Sequence, residues 1–384
     1  MSINLPKNFS DFENKEIPIA HGNHALVLNS GFISEKDFKK AFIDFESLMK
    51  NSFQDSDNIF VSNFIKISQE KEKNFINSFN NTSTTFVKHG GGSIFEYCLL
   101  ANKLGQKEVN ITVHEPREIL KYQGEEVLEG IPRGNFAFKN INWIKKQVKP
   151  YEKDFGLKIN FILEHENPGS DLKPEHQWTK NYYHHFDKHI LSTHNIPISP
   201  DNFSAYKQNF IDGTDENFDE IFNGHQINEN QTEETIIKIL ETYIQTQINH
   251  VINDGKKGYI LGHCNLISCK IFTKLINLKK DKNKVINLIK KIYQNEKVTS
   301  KYKKLFELVK EKEMSIDLNI KGSCDQFICY EDLLFDLLKE TQVPLVIGSD
   351  AHNLKQAIEA EGYYKSKLLN IIKENGLNLS QDWY

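Results

Sequence analysis

Short apolar runs recur along the chain, and several of them stop at an acid or a histidine. They are Asn110-Ile-Thr-Val-His114, Lys158-Ile-Asn-Phe-Ile-Leu-Glu164, His189-Ile-Leu-Ser-Thr-His194, Gly258-Tyr-Ile-Leu-Gly-His263 and Val343-Pro-Leu-Val-Ile-Gly-Ser-Asp-Ala-His352. The last is the clearest: a run rich in β-branched residues predicts a strand buried on both faces. Residues 315 to 320 add another such run. Between the runs the pattern changes to a helical period. Helices are predicted from about Asn140 to Phe155, from Glu233 to Asn253, within 266 to 312, from Glu331 to Lys339, and from Leu354 to about Lys373 with Gly376 as the stop. The second of these carries one apolar stripe of Ile236, Ile237, Ile239, Leu240, Tyr243, Ile244 and Ile248. Strands that alternate with helices predict a parallel sheet covered by helices.

In such folds ligands bind beyond the carboxyl ends of the strands, so the residues that end these runs are placed on one rim. Asp350 and His352 are two apart and share a face of an extended segment. Each residue has an ordinary alternative: a histidine after a strand is commonly a core or cap residue, and Asp350 or Asn353 can cap the following helix. Five strand ends that all deliver His, Glu or Asp point instead to a polynuclear metal site.

The first 75 residues look like an appended unit. Ala25 to Leu28 and Asn58 to Ser62 read as strands, and Ser34 to Lys50 as an amphipathic helix capped by Ser34. Residues 70 to 79 lead on as a helix. His21 and His24 in Ala20-His-Gly-Asn-His24 read as loop histidines, because no third ligand is adjacent. Gly90, Gly91 and Gly92 lack both the Lys-Ser/Thr of a phosphate loop and the dinucleotide spacing. Residues 165 to 187 are expected as an irregular loop over the barrel mouth, with His184, His185 and His189 in supporting positions.

Composition narrows the classes. In 384 residues, 39% hydrophobic and 11% aromatic content supports a full core, and the net charge is −4. The lysine-rich stretch 266 to 312 is interspersed with acids and reads as a solvated face, so nucleic acid is not expected as a partner. No apolar run approaches the ~20 residues of a membrane span, and Met1 to Ile17 has no signal-peptide core, which suggests a cytoplasmic protein. The five cysteines lack paired spacing; Cys264, beside His263, reads as a buried thiol. Arg117 and Arg133 are the only arginines, and both follow the strand ending at His114. A guanidinium fork suits phosphate, which makes them candidate substrate contacts.

The order of segments resembles the PHP (polymerase and histidinol phosphatase) superfamily, in particular its histidinol-phosphate phosphatase branch. The residues that carry the resemblance are His89-Gly90, the helix with Glu96-Tyr97, Ala101 and Leu104-Gly105, I-T-V-H-E-P at 111 to 116 and L-E at 163 to 164. Further on they are F-D-K-H-I-L-S-T-H at 186 to 194, I-L-G-H at 260 to 263, D-L-N-I-K-G at 317 to 322 and I-G-S-D-A-H at 347 to 352. The resemblance covers residues 77 to 384. It implies an α/β fold, a distorted (β/α)7 barrel over 76–384 with the 1–75 segment appended. It also implies one metal on His89, His114 and His352 and a second on Glu164, His194 and His263. A third would use Glu164, Asp350 and two first-strand histidines. Counted back from His89, those two positions are Asn81 and Ser83, poor ligands for zinc or manganese, so two divalent ions (Zn, Mn or Fe) are expected instead of three.

The leading expectation is a metal-dependent phosphomonoesterase acting on a small phosphorylated metabolite, with Asp350, Arg117 and Arg133 as catalytic residues. A PHP-fold enzyme with another hydrolysis or an elimination is the alternative within enzymes. A scaffold that has lost catalysis is the alternative outside them: two lost ligands favour it, and the seven retained ones argue against it.

Overall fold

The computed structural model describes residues 5–32, 34–54, 59–80, 89–116, 121–122, 125–126, 135–166, 174–193, 229–265, 282–319 and 332–380. Seven parallel strands close into a barrel: β1 (His21–Asn23), β2 (Glu108–His114), β3 (Lys158–Glu166), β4 (Lys188–Ser192), β5 (Ile260–Leu261), β6 (Ser315–Asn319) and β7 (Leu345–Ala351). They follow one another in chain order around the ring, and β7 pairs with β1 to complete it. All strands therefore point their carboxyl ends to one mouth.

The apolar runs predict β2, β3, β4, β6 and β7 closely because these strands are covered on both sides. Residues facing outward, such as Ile111, Val113, Phe161 and Leu163, pack with the helices of the first half. These are α1 (Leu26–Asn29), α2 (Glu35–Ser52), α3 (Val61–Asn80), α4 (Ile94–Lys103), α5 (Asn135–Lys139) and α6 (Ile141–Phe155). Leu191, Leu261, Ile316, Leu318, Leu345 and Ile347 pack with the helices of the second half. These are α7 (Glu229–Asp254), α8 (Lys282–Tyr293), α9 (Glu296–Glu311), α10 (Asp332–Thr341) and, after α11 (Leu354–Glu359), whose Leu354, Ala357 and Ile358 pack with the first cluster instead, α12 (Lys365–Glu374). The stretch expected as a loop over the mouth contains a 3-10 helix, Pro174–His185.

Inside the barrel, Ala20, Ile162, Ile190, Ile260 and Val346 form one apolar layer. At its amino end, Lys188 pairs with Glu108 at 3.1 Å, and Asn160 donates to Glu108 and to Asn110. Both the layer and this polar network lie on the strand faces that carry the rim residues, because alternate residues of a strand share a face. The interior is thus closed below the mouth.

Three expectations for the first 75 residues need correction. β1 lies inside that range and pairs with both β2 and β7, so the segment is part of the barrel and not an appended unit. Leu26–Asn29 is a helical turn and not a strand; all its residues are buried, and a run buried on every side shows no period to tell the two apart. The run expected as a strand at 58 to 62 enters helix α3 at Val61. The helix predicted from Ser34 stands, with the Ser34 hydroxyl accepting from the Asp37 amide at 3.1 Å.

A buried ion pair holds the chain that leads into β1. Lys365, fully buried, pairs with Glu361 and donates to the Ile17 carbonyl at 2.7 Å. The pair is formed across a π-helical turn, Ala360–Tyr364, between α11 and α12. Gln106 donates to Glu361 at 3.0 Å and to the Lys15 carbonyl at 2.9 Å. Removing one member of such a pair leaves a buried charge uncompensated. Lys365→Ala is therefore expected to lose about 3–5 kcal/mol of stability. Urea denaturation measures it, and a loss below about 1 kcal/mol would show that the pair does not hold this segment.

Candidate metal centre

Each strand end delivers its side chain to the mouth by a separate device. In the β2–β3 ladder His114 lies opposite Glu164. The Asn29 side chain accepts from the His114 amide at 3.0 Å and donates to the Thr112 carbonyl at 2.9 Å, which fixes the end of β2. His263 and Asp350 have φ of 31° and 46°, in the left-handed region that non-glycine residues rarely adopt. Strain of this kind persists where the surrounding structure enforces it and clusters at functional sites. His352 donates from Nδ1 to the Asp350 carbonyl at 2.8 Å, leaving Nε2 with its lone pair.

The result is a ring of imidazoles around two carboxylates. Glu164, fully buried, has Oε2 at 3.2 Å from His114 Nδ1 and 3.5 Å from His24 Nε2. Its Oε1 lies 3.2 Å from His263 Nε2. Asp350 Oδ1 is 2.8 Å from His24 Nε2 and 3.9 Å from His21 Nε2. On the outer side, His89 Nε2 is 2.8 Å from His114 Nε2 and 3.3 Å from His352 Nε2.

Two groups of four residues could each hold a metal ion: His24, His89, His114 and His352, and His21, His24, Glu164 and Asp350. Within each group the candidate ligand atoms lie within 4.8 Å of one another. Ligands bound at 2.0–2.1 Å in a tetrahedron stand about 3.4 Å apart, close to many of these separations. Two observations test the fit. His21 Nε2 and His24 Nδ1 are buried and make no hydrogen bond. The donors are imidazoles and carboxylates with no thiolate, a set suited to Zn, Mn or Fe. Cys264 sits in the apolar core cluster instead.

The electrostatics divide the two new histidines. Burial, helped by the neighbouring His114, pushes the His24 pKa down to about 4 against the pull of Asp350 and Glu164. That ring is therefore neutral near pH 7 and able to coordinate. Burial also disfavours charge on His21, but the Asp317 and Glu164 carboxylates hold its pKa well above the ordinary value.

The His89 loop is fastened by carboxylates at the amino end of α4. Gly90, with φ of 81°, passes so close to the chain that a Cβ there would meet the His24 carbonyl oxygen at 2.5 Å, and the Gly91 amide donates to that oxygen at 3.0 Å. Glu72 accepts from the Gly92 amide, Glu96 from the Ser93 amide, and Glu46 from the Ile94 and Phe95 amides, all at 2.7–3.0 Å. Negative charge is favoured there by the first-turn amides, which have no partner within the helix, and by the helix dipole. Burial nevertheless pushes the Glu46 and Glu96 pKa values up to about 7.

Of the residues singled out from the sequence, His89, His114, Glu164, His263, Asp350 and His352 converge on this mouth. His194, Arg117 and Arg133 lie outside the described residues, as do Asn81 and Ser83. The strand that takes the first place in the barrel is β1, and it brings His21 and His24 to the position assigned to Asn81 and Ser83. The reason for expecting an incomplete shell therefore falls away. Asp317, in the D-L-N segment at 317 to 319, carries no role in the sequence pattern; it accepts from His21 Nδ1 at 2.7 Å. His165 is also buried, behind the mouth, and is hydrogen-bonded to His189 at 2.9 Å.

No protein-family model matches the sequence, and no curated protein matches it. Among solved structures, the chain is similar to a protein of Listeria monocytogenes described as "putative histidinol phosphatase hisK", with a TM-score of 0.50 and 19% identity over 72% of this chain and 95% of that one. At this identity the likeness is one of fold. It is the fold that the resemblance to the histidinol-phosphatase branch of the PHP superfamily implies.

Two outcomes are expected. His21→Ala and His24→Ala should each lower the divalent-metal content of the purified, desalted protein relative to the parent, by elemental analysis, with the fold retained by circular dichroism. Unchanged content in both would remove β1 from the site. The second concerns pH. Glu46 has a raised native pKa, so between about pH 4.5 and 7 the native state binds more protons than the unfolded chain. Its contribution is present below pH 4.5 and lost as pH rises through 7. In chelator-treated protein, Glu46→Gln should flatten this decline in urea-unfolding stability; parallel pH profiles for parent and variant would refute it.

Proposed function

We propose that this chain is a metal-dependent phosphomonoesterase acting on a small phosphorylated metabolite, of the histidinol-phosphate phosphatase type. The observation that carries the reading is the convergence of His21, His24, His89, His114, Glu164, His263, Asp350 and His352 at the carboxyl mouth of a closed parallel barrel. The fold of the Listeria protein supports it. Divalent ions bound there would lower the pKa of a coordinated water toward neutrality and polarise a phosphoryl oxygen.

The residues of the chain prepare for that chemistry. His21, His24, Glu164 and Asp350 would hold one ion, His89, His114 and His352 another, and Glu164 with His263 and His194 a third. Glu164 and Asp350 supply negative charge, while the imidazoles leave part of the ionic charge to attract a phosphate. Asp350, the second carboxylate within the ring of imidazoles, would shuttle a proton. Arg117 and Arg133 would take the phosphoryl oxygens that the ions leave uncovered. The apolar layer below the mouth keeps water from reaching the site through the barrel axis.

The test is a panel of phosphate monoesters, histidinol phosphate among them, assayed after chelation and again after Mn2+ or Zn2+ is restored. Phosphate release from at least one ester, dependent on the metal, is expected. No release from any ester by metal-loaded protein would refute the reading. Arg117→Ala and Arg133→Ala should each raise KM about 10–100-fold with metal content unchanged, the loss of a charge-assisted hydrogen bond of about 1.5–3 kcal/mol. An unchanged KM would exclude that arginine from the phosphate.

A further inference from the structure

His21 and Asp317 touch although their strands do not pair. In the barrel β7 lies between β6, which carries Asp317, and β1, which carries His21. Gly348 of β7 is opposite His21 on one side and opposite Asn319 on the other. A Cβ at position 348 would stand 1.9 Å from Asp317 Oδ1 and 2.5 Å from its Cγ. The carboxylate therefore crosses the barrel interior over a residue that leaves it room by having no side chain. It accepts from His21 Nδ1 at 2.7 Å, and both side chains are buried. Asn319 donates to the same oxygen at 3.3 Å.

We propose that Asp317 is a positioning residue of the candidate cation site, reaching His21 through the gap at Gly348 to hold it with its proton on Nδ1 and Nε2 toward Glu164 and Asp350. The inference rests on the reading of the mouth as a cation site. A neutral imidazole carries one proton, and the hydrogen bond to one nitrogen decides which nitrogen can be a ligand. With Nδ1–H committed to Asp317, Nε2 is the atom presented at 3.8 Å from Glu164 Oε2 and 3.9 Å from Asp350 Oδ1. Any proton on Nε2 is the one a cation displaces. The second partner matters because β1 has three residues and its pairing shifts register between His21 and Asn23, so the strand alone does not fix the ring.

The experiment is a double-mutant cycle read by Zn2+ affinity, on the full chain stripped of metal, in competition with a chromophoric chelator. Asp317→Ala should weaken the site that His21→Ala affects by about 10–100-fold, the usual effect of losing such a partner. Added to His21→Ala, it should change affinity less than about twofold, since a residue acting through His21 has nothing left to act on. Asp317→Asn keeps an oxygen that can accept from Nδ1 and should fall between parent and Asp317→Ala. Gly348→Ala displaces the carboxylate without removing it and should match Asp317→Ala. Should Asp317→Ala fail to fold, the Asn and Gly348 variants carry the test. Equal weakening by Asp317→Ala with and without His21, or parental affinity in Asp317→Ala or in Gly348→Ala, would overturn the proposal. Phosphate release assayed in parallel separates the two readings: coupling without any phosphatase activity sinks only the function, and activity without coupling sinks only the role of Asp317.

Discussion

A carboxylate with no exposure to water sits at the centre of this molecule, and the rest of the mouth is arranged around it. Glu164 lies at 3.2 to 3.8 Å from His21, His24, His114 and His263. An ion of this size transferred to a protein interior loses several kcal/mol of hydration even after relaxation. Compensation must come from positive or proton-donating groups at close range, and four imidazoles from three strand ends supply it. A barrel of parallel strands is suited to this because every strand ends on the same side. No single helix or hairpin brings three separate chain segments within 4 Å of one oxygen pair.

The supports of that arrangement are ordinary, while its tips are strained. Outward faces of the strands are held by two apolar clusters that include helices from both halves of the chain. The inward face carries an apolar layer and, below it, the Glu108, Lys188, Asn160 and Asn110 network. At the upper ends the backbone departs from regular structure. His263 and Asp350 take positive φ, and β5 is reduced to Ile260–Leu261 just before His263. Conformations of that kind are unfavourable by about 1–3 kcal/mol each, and a rigid base is what lets a chain maintain them.

Much of this was legible in the sequence because burial on both faces leaves a clear record. The strands ending near His114, Glu164, Asp350 and His352 were marked by apolar runs, as were the helices with one apolar stripe. The first strand left no such record. Three residues, His-Gly-Asn, contain no apolar run, and the two histidines that they bring to the site are three apart, where alternation demands two. Counting back from His89 instead leads to Asn81 and Ser83, which have the even spacing but not the ligands. The helical turn Leu26–Asn29 looks like a strand for the opposite reason, since its apolar run is buried on all sides and has no face. Asp317 could have been recognised only with Gly348 in view, because its role depends on a contact across a strand and on a missing side chain. Neither is a local property of the sequence.

The odd spacing of His21 and His24 has a physical solution in the barrel itself. His21 is opposite Gly348 and Asn23 opposite Ala351, so β1 advances two residues while β7 advances three. The extra residue lies on β7, the bulged strand, and beside it His21 stands near Glu164 and His24 beside Asp350. Gly22, between them on the strand, leaves room for the neighbouring chain: a Cβ there would lie 2.0 Å from the Asn110 carbonyl oxygen. Asn110 is itself tied to the chain before β1, donating to the Ile19 carbonyl at 2.7 Å. One glycine therefore permits the close approach of β1 to β2, and another, Gly348, permits the reach of Asp317 to His21. The two absent side chains flank the same histidine, which places the tolerance of the whole first strand in positions that a search for ligands passes over.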